Sequence, residues 1–150
     1  MLKNLGYKTI SIDKEKKYEE CIPVDINYKL PFKNNEFDLI WCSEVIEHLI
    51  NPAETISEFH RILKNNGEMI ITTPNSGFWL YHLLRIFNYT PSDVQNKSHR
   101  HYFSIQDIRI LFPNAIILGY FPYMFIKFTI KRFIGLLSPT FVIIQKNVTE

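Results

Sequence analysis

Short apolar runs alternate along the chain with segments in which apolar residues recur at helical spacing. The runs read as β-strands, and the one that begins at Phe37 is almost continuously apolar, as in a strand covered on both faces. The predicted strands are Tyr7 to Ile12, Cys21 to Val24, Phe37 to Cys42, Met69 to Thr73, Ala115 to Tyr120 and Phe141 to Ile144. An aspartate, Asp13 or Asp25, follows each of the first two.

The clearest helix signal begins at Asn51. Asn51 suits the N-cap, Pro52 suits the first helical position, and Glu54 stands where it could close a capping box. The segment 64–67, Lys-Asn-Asn-Gly, supplies a stop. The predicted apolar face of this helix comprises Ile56, Phe59 and Leu63.

Two further helices are predicted, over 77–88 and from Ser104 to Leu111, with Asp107 at the capping-box position of the second. The polar stretch from Thr90 to Ser98 between them predicts an exposed loop. Alternating strands and helices favour an α/β fold with a mainly parallel sheet. No repeat or linker divides the chain, so residues 1–150 are expected to form one domain.

Composition narrows the class of protein. Hydrophobic residues make up 46% of the 150 and charged residues 21%, which is typical of a soluble globular chain and argues against extended disorder. A net charge of +2, with no long run of one sign, makes nucleic acid an unexpected partner. Cys21 and Cys42 form no CxxC pair, and the N-terminus does not resemble a signal peptide, so the expected location is the cytoplasm.

Aromatic residues crowd the segment from Tyr120 to Leu137, where Lys127, Lys131 and Arg132 interrupt an apolar run. These charges argue against a transmembrane helix. One interpretation is a core strand followed by a helix that covers the sheet. The other is a flap whose basic residues face lipid headgroups, which would make the protein peripheral to a membrane and its substrate lipid-like.

Four segments together resemble class I S-adenosylmethionine-dependent methyltransferases. They are 30–49 (LPFKNNEFDLIWCSEVIEHL), Asn51-Pro52, 61–67 (RILKNNG) and 72–75 (TTPN). Each is weak alone, but their order and spacing over about half the chain are specific. The resemblance implies a Rossmann-like, doubly wound sheet that binds S-adenosylmethionine at the carboxyl ends of its strands. It further implies methyl transfer to a small-molecule or lipid-like acceptor, with an O-methyltransferase as one form.

The resemblance also assigns cofactor-binding roles. Asp13 would accept hydrogen bonds from the ribose hydroxyls, since a carboxylate is purely an acceptor. Asp25 would meet the adenine amino group, with Ile26 packed on the ring, while Ser43 and Glu44 would line the methionine end. The alternative is that Asp13 and Asp25 merely cap the ends of strands.

The sequence departs from the family at its start. Such domains open with a strand and a glycine-rich turn near the methionine part of the cofactor, where no side chain fits. This chain has five glycines and no GxG, so we expect a sheet that lacks its usual first, central strand. Three readings stay open: a truncated enzyme, a split protein completed by a partner chain, or a degenerate scaffold without cofactor. In each, the isolated chain should bind S-adenosylmethionine poorly or not at all.

Glu44, Glu47 and His48 would share a helical face, and His101 follows in a second histidine-rich stretch, 98–103. In small-RNA 2′-O-methyltransferases and quinone-pathway O-methyltransferases, a similar ExxEH element with a later histidine resembles a divalent-metal site acting on a substrate hydroxyl. The alternative needs no metal, and a histidine acts as general base or fixes local structure. Glu47, His48 and His101 are therefore the predicted catalytic residues, and the metal question stays open.

Overall fold

The computed structural model describes residues 6–84, 86, 88, 98–121 and 128–148. Seven strands lie in these residues: β1 Ser11–Asp13, β2 Cys21–Pro23, β3 Phe37–Ser43, β4 Leu63–Pro74, β5 Ile116–Phe121, β6 Phe128–Ile130 and β7 Thr140–Lys146. The helices are α1 Pro52–Ile62, α2 Trp79–Leu84, α3 Ile105–Leu111 and α4 Ile134–Leu137, with a 3-10 turn at Ile46–His48. The alternation of strand and helix predicted from the hydrophobic pattern is therefore present.

The described strands form two separate sheets. β1 and β2 pair in parallel, and the second sheet has the order β3-β4-β7-β5-β6. Only β3 and β4 are parallel in the second sheet, because β7 and β6 run against their neighbours. The prediction of a mainly parallel sheet is thus wrong for the described residues. The mixed character comes from β7, which lies antiparallel between β4 and β5, and from the antiparallel pair of β5 and β6.

The hydrophobic core lies where β4 and β7 meet α1. Alternate residues of β4 point inward, so that Met69 and Ile71 are fully buried. They face the same core as Phe141 and Ile143 of β7. The apolar face of α1 covers it through Phe59 and its neighbours. This packing holds the carboxyl ends of β3 and β4 in place.

The start of α1 differs from its prediction in one respect. Pro52 occupies the first turn as expected, but the Asn51 side chain makes no capping hydrogen bond, so the predicted capping box is wrong. At the other end, β4 follows directly at Leu63, which belongs to the strand rather than to the helical face. A Cβ on Gly67 would lie 2.9 Å from the Lys64 carbonyl oxygen, a close backbone approach that only glycine permits here.

The predicted capping box of α3 is confirmed. The Ser104 hydroxyl accepts a hydrogen bond from the Asp107 amide, and the Asp107 carboxylate accepts one from the Ser104 amide at 2.7 Å. These two bonds satisfy donors that the first helical turn leaves without partners. They fix the end of the 98–104 segment, which passes beside the 3-10 turn.

Of the predicted helix over 77–88, the structure describes α2 at Trp79–Leu84, while residues 85 and 87 lie outside the described residues. The predicted loop from Thr90 likewise lies outside them up to residue 97. Within Tyr120 to Leu137, the described parts form the end of β5, then β6 and α4, while Lys127 lies outside them. None of the helices in the described part of the chain has the length and apolar character needed to span a bilayer.

Candidate functional site

Two carboxylates stand at the carboxyl ends of β1 and β2. The strands pair in parallel with Asp13 opposite Pro23, and the Val24 amide donates to the Asp13 carbonyl at 2.8 Å. Asp25 therefore emerges at the same edge as Asp13. The two chain segments are thus held together there by ordinary strand pairing.

Local hydrogen bonds keep both carboxylates ionised. A hydrogen bond from Lys17, at 2.9 Å, is the main reason that the pKa of Asp13 lies below its usual range. The pKa of Asp25 is lowered chiefly by the amide and side chain of Asn27, which donate to its Oδ1 at 3.0 and 2.8 Å. Ionised carboxylates accept hydrogen bonds only, which suits them to a ligand rich in hydroxyl and amino groups.

Hydroxyl groups join the ends of β3 and β4. Thr72 stands opposite Ser43 in the register and donates to Glu44 Oε1 at 3.0 Å. Because the only hydroxyl hydrogen of Thr72 is used in that bond, the Ser43 hydroxyl must donate to Thr72 Oγ1, 2.8 Å away. Glu44 has a left-handed backbone with φ of 54°, and its amide bonds to the Thr72 carbonyl. The turn after β3 is thereby held against β4.

Glu47 is a buried carboxylate, with 1% of its surface exposed. Its Oε2 accepts a hydrogen bond from the Thr73 hydroxyl at 3.0 Å, whereas no described residue hydrogen-bonds to its Oε1. Burial, with some repulsion from Glu44, raises the pKa of Glu47. A buried carboxylate oxygen without a partner is costly, so it marks a place where a ligand or a neighbouring imidazolium would be favoured.

His48 lies between Glu47 and the 98–103 segment. Its Nδ1 lies 3.1 Å from the Ser98 carbonyl oxygen, to which it could donate, and 3.2 Å from the Ser98 hydroxyl, from which it could accept, so these contacts are compatible with either tautomer. Its Nε2 lies 4.0 Å from Glu47 Oε1. The ring packs edge-on against His99, with 4.8 Å between centroids, and partial burial lowers the pKa of His99.

Donor atoms of Glu47, His48 and His99 all lie within 4.8 Å of one another. Imidazole nitrogens and a carboxylate oxygen are the ligands that zinc and similar divalent ions prefer. The position of His101 is different. It donates from Nε2 to the Leu49 carbonyl at 3.0 Å and stacks on Phe103, so it anchors the 98–103 segment.

A cavity of about 510 Å³ opens between the two sheets. Its lining includes five residues predicted for the site, and they come from three different turns: Asp13, Asp25, Ile26, Ser43 and His48. Consecutive residues 39–43 of β3 also line it, which means that the cavity follows the edge of the strand rather than one face. In the described residues, β1 and β3 each have a neighbour on one side only, and this cavity lies between them.

The structure thus separates the predicted site residues into two groups. Glu44, Glu47 and His101 are not among the described residues that line the cavity, and Glu47 lies behind His48.

Two residues that contribute to the site were not predicted from the sequence. Asn27 orients Asp25 and accepts the Ile50 amide at 2.7 Å, and Thr73 holds Glu47. Their positions, two residues after an aspartate and at a strand end, were the available signals.

Comparisons with known proteins identify the family. Residues 4–115 match a family model described as a methyltransferase domain. An uncharacterized protein of Methanocaldococcus jannaschii is 31% identical over 120 residues, which cover 75% of this chain and 49% of that protein. A tRNA U34 carboxymethyltransferase of Helicobacter acinonychis is 40% identical over 63 residues, covering 41% of this chain and 23% of that enzyme. The chain therefore spans half or less of the length of these relatives.

The fold comparison shows a methyltransferase-like fold. A SAM-dependent methyltransferase of Thermotoga maritima, described as a possible histamine N-methyltransferase, superposes with a TM-score of 0.67 at 18% identity. The match covers 85% of this chain and 63% of that one. At such identity the superposition establishes an α/β methyltransferase-like fold and nothing finer. Since the family model also spans most of the chain, this protein belongs to the class I S-adenosylmethionine-dependent methyltransferase domain family.

Proposed function

We propose that the complete protein transfers a methyl group from S-adenosylmethionine to a hydroxyl of a small-molecule or lipid-like acceptor, with His48 as the base. The observation that carries this proposal is a single cavity that brings the paired carboxylates Asp13 and Asp25 together with the His48 imidazole. One end of the cavity suits a nucleoside and the other suits proton transfer. Sequence reasoning assigned the same residues to these two ends.

The nucleoside end fits the cofactor by its chemistry. Asp13 and Asp25 are acceptor-only groups at adjacent strand ends, and ribose hydroxyls and the adenine amino group are donors. Ile26 adds an apolar surface beside them in the cavity lining. In the described residues nothing corresponds to a glycine-rich turn at the methionine end. We therefore expect that end of the site to need a further strand and turn.

The catalytic role of His48 requires the tautomer in which Nδ1 donates to the Ser98 carbonyl, 3.1 Å away. Nε2 would then be free to take a proton from an acceptor hydroxyl. Glu47, held by Thr73, would stabilise the imidazolium that results, as a positioning residue behind the base. When bound, S-adenosylmethionine would supply an electrophilic methyl group on a sulfonium. His48 would take the proton of the acceptor hydroxyl as that oxygen is methylated, and S-adenosylhomocysteine would leave as the thioether product.

A divalent metal is a second candidate at the same cluster. The close donor atoms of Glu47, His48 and His99, together with the buried Oε1, favour it. A metal there would lower the pKa of the acceptor hydroxyl in place of a base. Elemental analysis after loading with divalent ions distinguishes the two, because stoichiometric metal that is lost in Glu47→Gln supports coordination. Absence of bound metal would leave His48 as the base.

A non-enzymatic scaffold is the alternative to catalysis. It is favoured by the edges of β1 and β3 that no other described strand pairs with, because they offer backbone groups to a strand from a partner chain. On this reading the cavity is the place where another polypeptide completes the sheet, and it does not hold a cofactor. The carboxylates would then only cap their strands.

Isothermal titration with S-adenosylhomocysteine tests the proposal. The chain should bind it weakly or not at all, and the chain joined to any coding sequence that precedes Met1 should bind it saturably. In that longer form, Asp25→Asn should weaken binding by roughly tenfold or more through the loss of a charged acceptor. The matched control is Asp38→Asn, because Asp38 is exposed and pairs with Lys64 away from the cavity.

Each outcome decides between the readings. If neither form binds, the scaffold alternative replaces the enzyme. Tight binding by the chain alone would contradict the need for a further strand. If Asp25→Asn and Asp38→Asn lower the affinity for S-adenosylhomocysteine equally, the carboxylate end of the cavity does not hold the nucleoside.

A further inference from the structure

A second surface, distant in sequence from the cavity lining, exposes large apolar side chains from α2, β6 and α4. We call it the α2–α4 face, and its exposed members are Trp79, Leu80, Leu83, Ile86, Phe128, Phe133, Leu136 and Leu137. Scattered exposed apolar residues are normal, but a contiguous group marks an interaction site. Phe133 is the clearest case, with 75% of its surface exposed.

Helix α2 contributes one stripe of this face. Trp79 and Leu83 are four residues apart and therefore lie on the same side of the helix. Tyr81 points the other way and is buried, and Phe78 is buried just before the helix starts. The helix is thus packed against the protein on one side and also carries apolar residues on the side that faces solvent. A surface helix usually has polar residues on that side.

Two contacts join the segment just before α2 to β5, β6 and α4. Asn75 donates to the carbonyls of Gly135 and Ser138, at 2.9 and 2.6 Å, and accepts the Gly77 amide at 2.8 Å. Further along, the ring of Phe78 contacts Phe121, which stacks on Phe128 with 5.3 Å between centroids. The segments that carry the exposed apolar residues are therefore held next to one another.

The backbone holds Phe133 outward at a cost. Its φ of 51° and ψ of 37° place a bulky residue in the left-handed region, where glycine would be more stable. A strained residue of this kind persists only where the surrounding structure imposes it, and such residues cluster at functional sites. Here the strain presents an aromatic ring to the solvent beside two basic residues.

The charge of this region is one-sided. Lys131 and Arg132, both exposed, directly precede Phe133. The sequence has no acidic residue between Asp107 and Glu150, so the β6–α4 segment carries only basic charges. An apolar surface bordered by basic residues complements a bilayer with anionic headgroups, because rings enter the interface while the cations meet phosphates.

We propose that the α2–α4 face docks the protein on an anionic membrane surface. Asn75 follows β4 directly, so the face starts from the same strand end that holds Thr72 and Thr73 beside the candidate catalytic residues. A lipid-like acceptor would then reach the site from the bilayer. That last step rests on the proposed function, whereas docking itself requires neither cofactor nor acceptor. Exposed Trp79, Phe133 and leucines favour a bilayer over tRNA, which would be met mainly by charge.

Co-sedimentation with vesicles tests the docking. The probes are vesicles of phosphatidylcholine alone and of equal parts phosphatidylcholine and phosphatidylglycerol, mixed with the chain without cofactor. We expect binding to the anionic vesicles. The double variant Lys131→Glu/Arg132→Glu should weaken it by roughly 30-fold or more, since each basic residue near such a surface contributes about fivefold. Phe133→Gly should weaken it several-fold without unfolding the protein, because glycine relieves the strain.

The matched control is Lys8→Glu/Lys16→Glu, which makes the same change in net charge at two exposed lysines near the other terminus. It should bind like the original chain. Sedimentation that is absent with anionic vesicles, or equally reduced in the control, would overturn the proposal. So would preferential binding of tRNA over vesicles, or a dimer in light scattering that Phe133→Gly dissociates. Titration with S-adenosylhomocysteine is independent, so failure of docking does not count against methyl transfer.

Discussion

Replacing Asn75 by alanine should destabilise the protein more than its single position suggests. Asn75 is fully buried after β4, and its side chain makes three hydrogen bonds of 2.9 Å or less, to the Gly77 amide and to the carbonyls of Gly135 and Ser138. A fourth, longer contact of 3.5 Å reaches the Ile134 carbonyl. Alanine removes all three and leaves the carbonyls of Gly135 and Ser138 and the amide of Gly77 without that partner. The Asn75 backbone amide keeps its own bond to the Pro139 carbonyl. The variant therefore isolates the side chain.

The magnitude follows from counting these groups. A hydrogen bond contributes about 1 kcal/mol net, and a buried group that loses its partner costs somewhat more. Three bonds, of which the one to Ser138 is deeply buried, give about 3 to 4 kcal/mol. With a denaturant dependence of about 2 kcal/mol per molar, the urea midpoint should fall by roughly 1.5 to 2 M.

Urea unfolding followed by circular dichroism measures this shift. Asn34→Ala is the matched control, because Asn34 is exposed and its side chain accepts one bond from Arg61 at 2.8 Å. The control should lose less than about 1 kcal/mol. If the free energy of unfolding falls as little in Asn75→Ala as in the control, the reasoning is refuted, because Asn75 would then not join the start of α2 to α4.

Two further predictions concern ionisable groups elsewhere. Glu58 accepts hydrogen bonds from Arg61 and from the Leu30 amide, and its pKa is lowered chiefly by Arg61. The ionised Glu58 therefore stabilises the fold above the ordinary carboxyl pKa, and this contribution is lost as the pH falls. In urea unfolding, Glu58→Gln should lower the free energy of unfolding by about 1 kcal/mol at neutral pH and by little near about pH 3, and a difference independent of pH would count against this prediction. Burial raises the pKa of the Cys42 thiol to about 12, so the reactive thiolate is scarce in the native protein. Iodoacetamide should therefore modify Cys42 only in denaturant, and mass spectrometry of native and unfolded protein measures this. Modification of Cys42 at native conditions would indicate that the edge of β3 opens.

The family and most of the elements could be predicted from sequence because their signals are local. The apolar run before Ser43, the proline at the start of α1 and the Ser104–Asp107 capping pair each depend on residues a few positions apart. The motif residues were recognisable for the same reason, because their order along the chain is itself the signal. What the Asn51 side chain does was not predictable, since its cap depends on how the preceding loop approaches the helix.

Only the tertiary structure decided how these pieces combine. Strand direction depends on which strands become neighbours, and the pairing of β7 between β4 and β5 made the larger sheet mixed. The division of the histidines is also a long-range result, because His48 meets Ser98 while His101 turns to Leu49, in each case about fifty positions away. Likewise, the α2–α4 face exists because Asn75 binds a segment some sixty residues later. Hydrophobic pattern determines which face of an element is buried, but contacts between distant segments determine which side chains share a site.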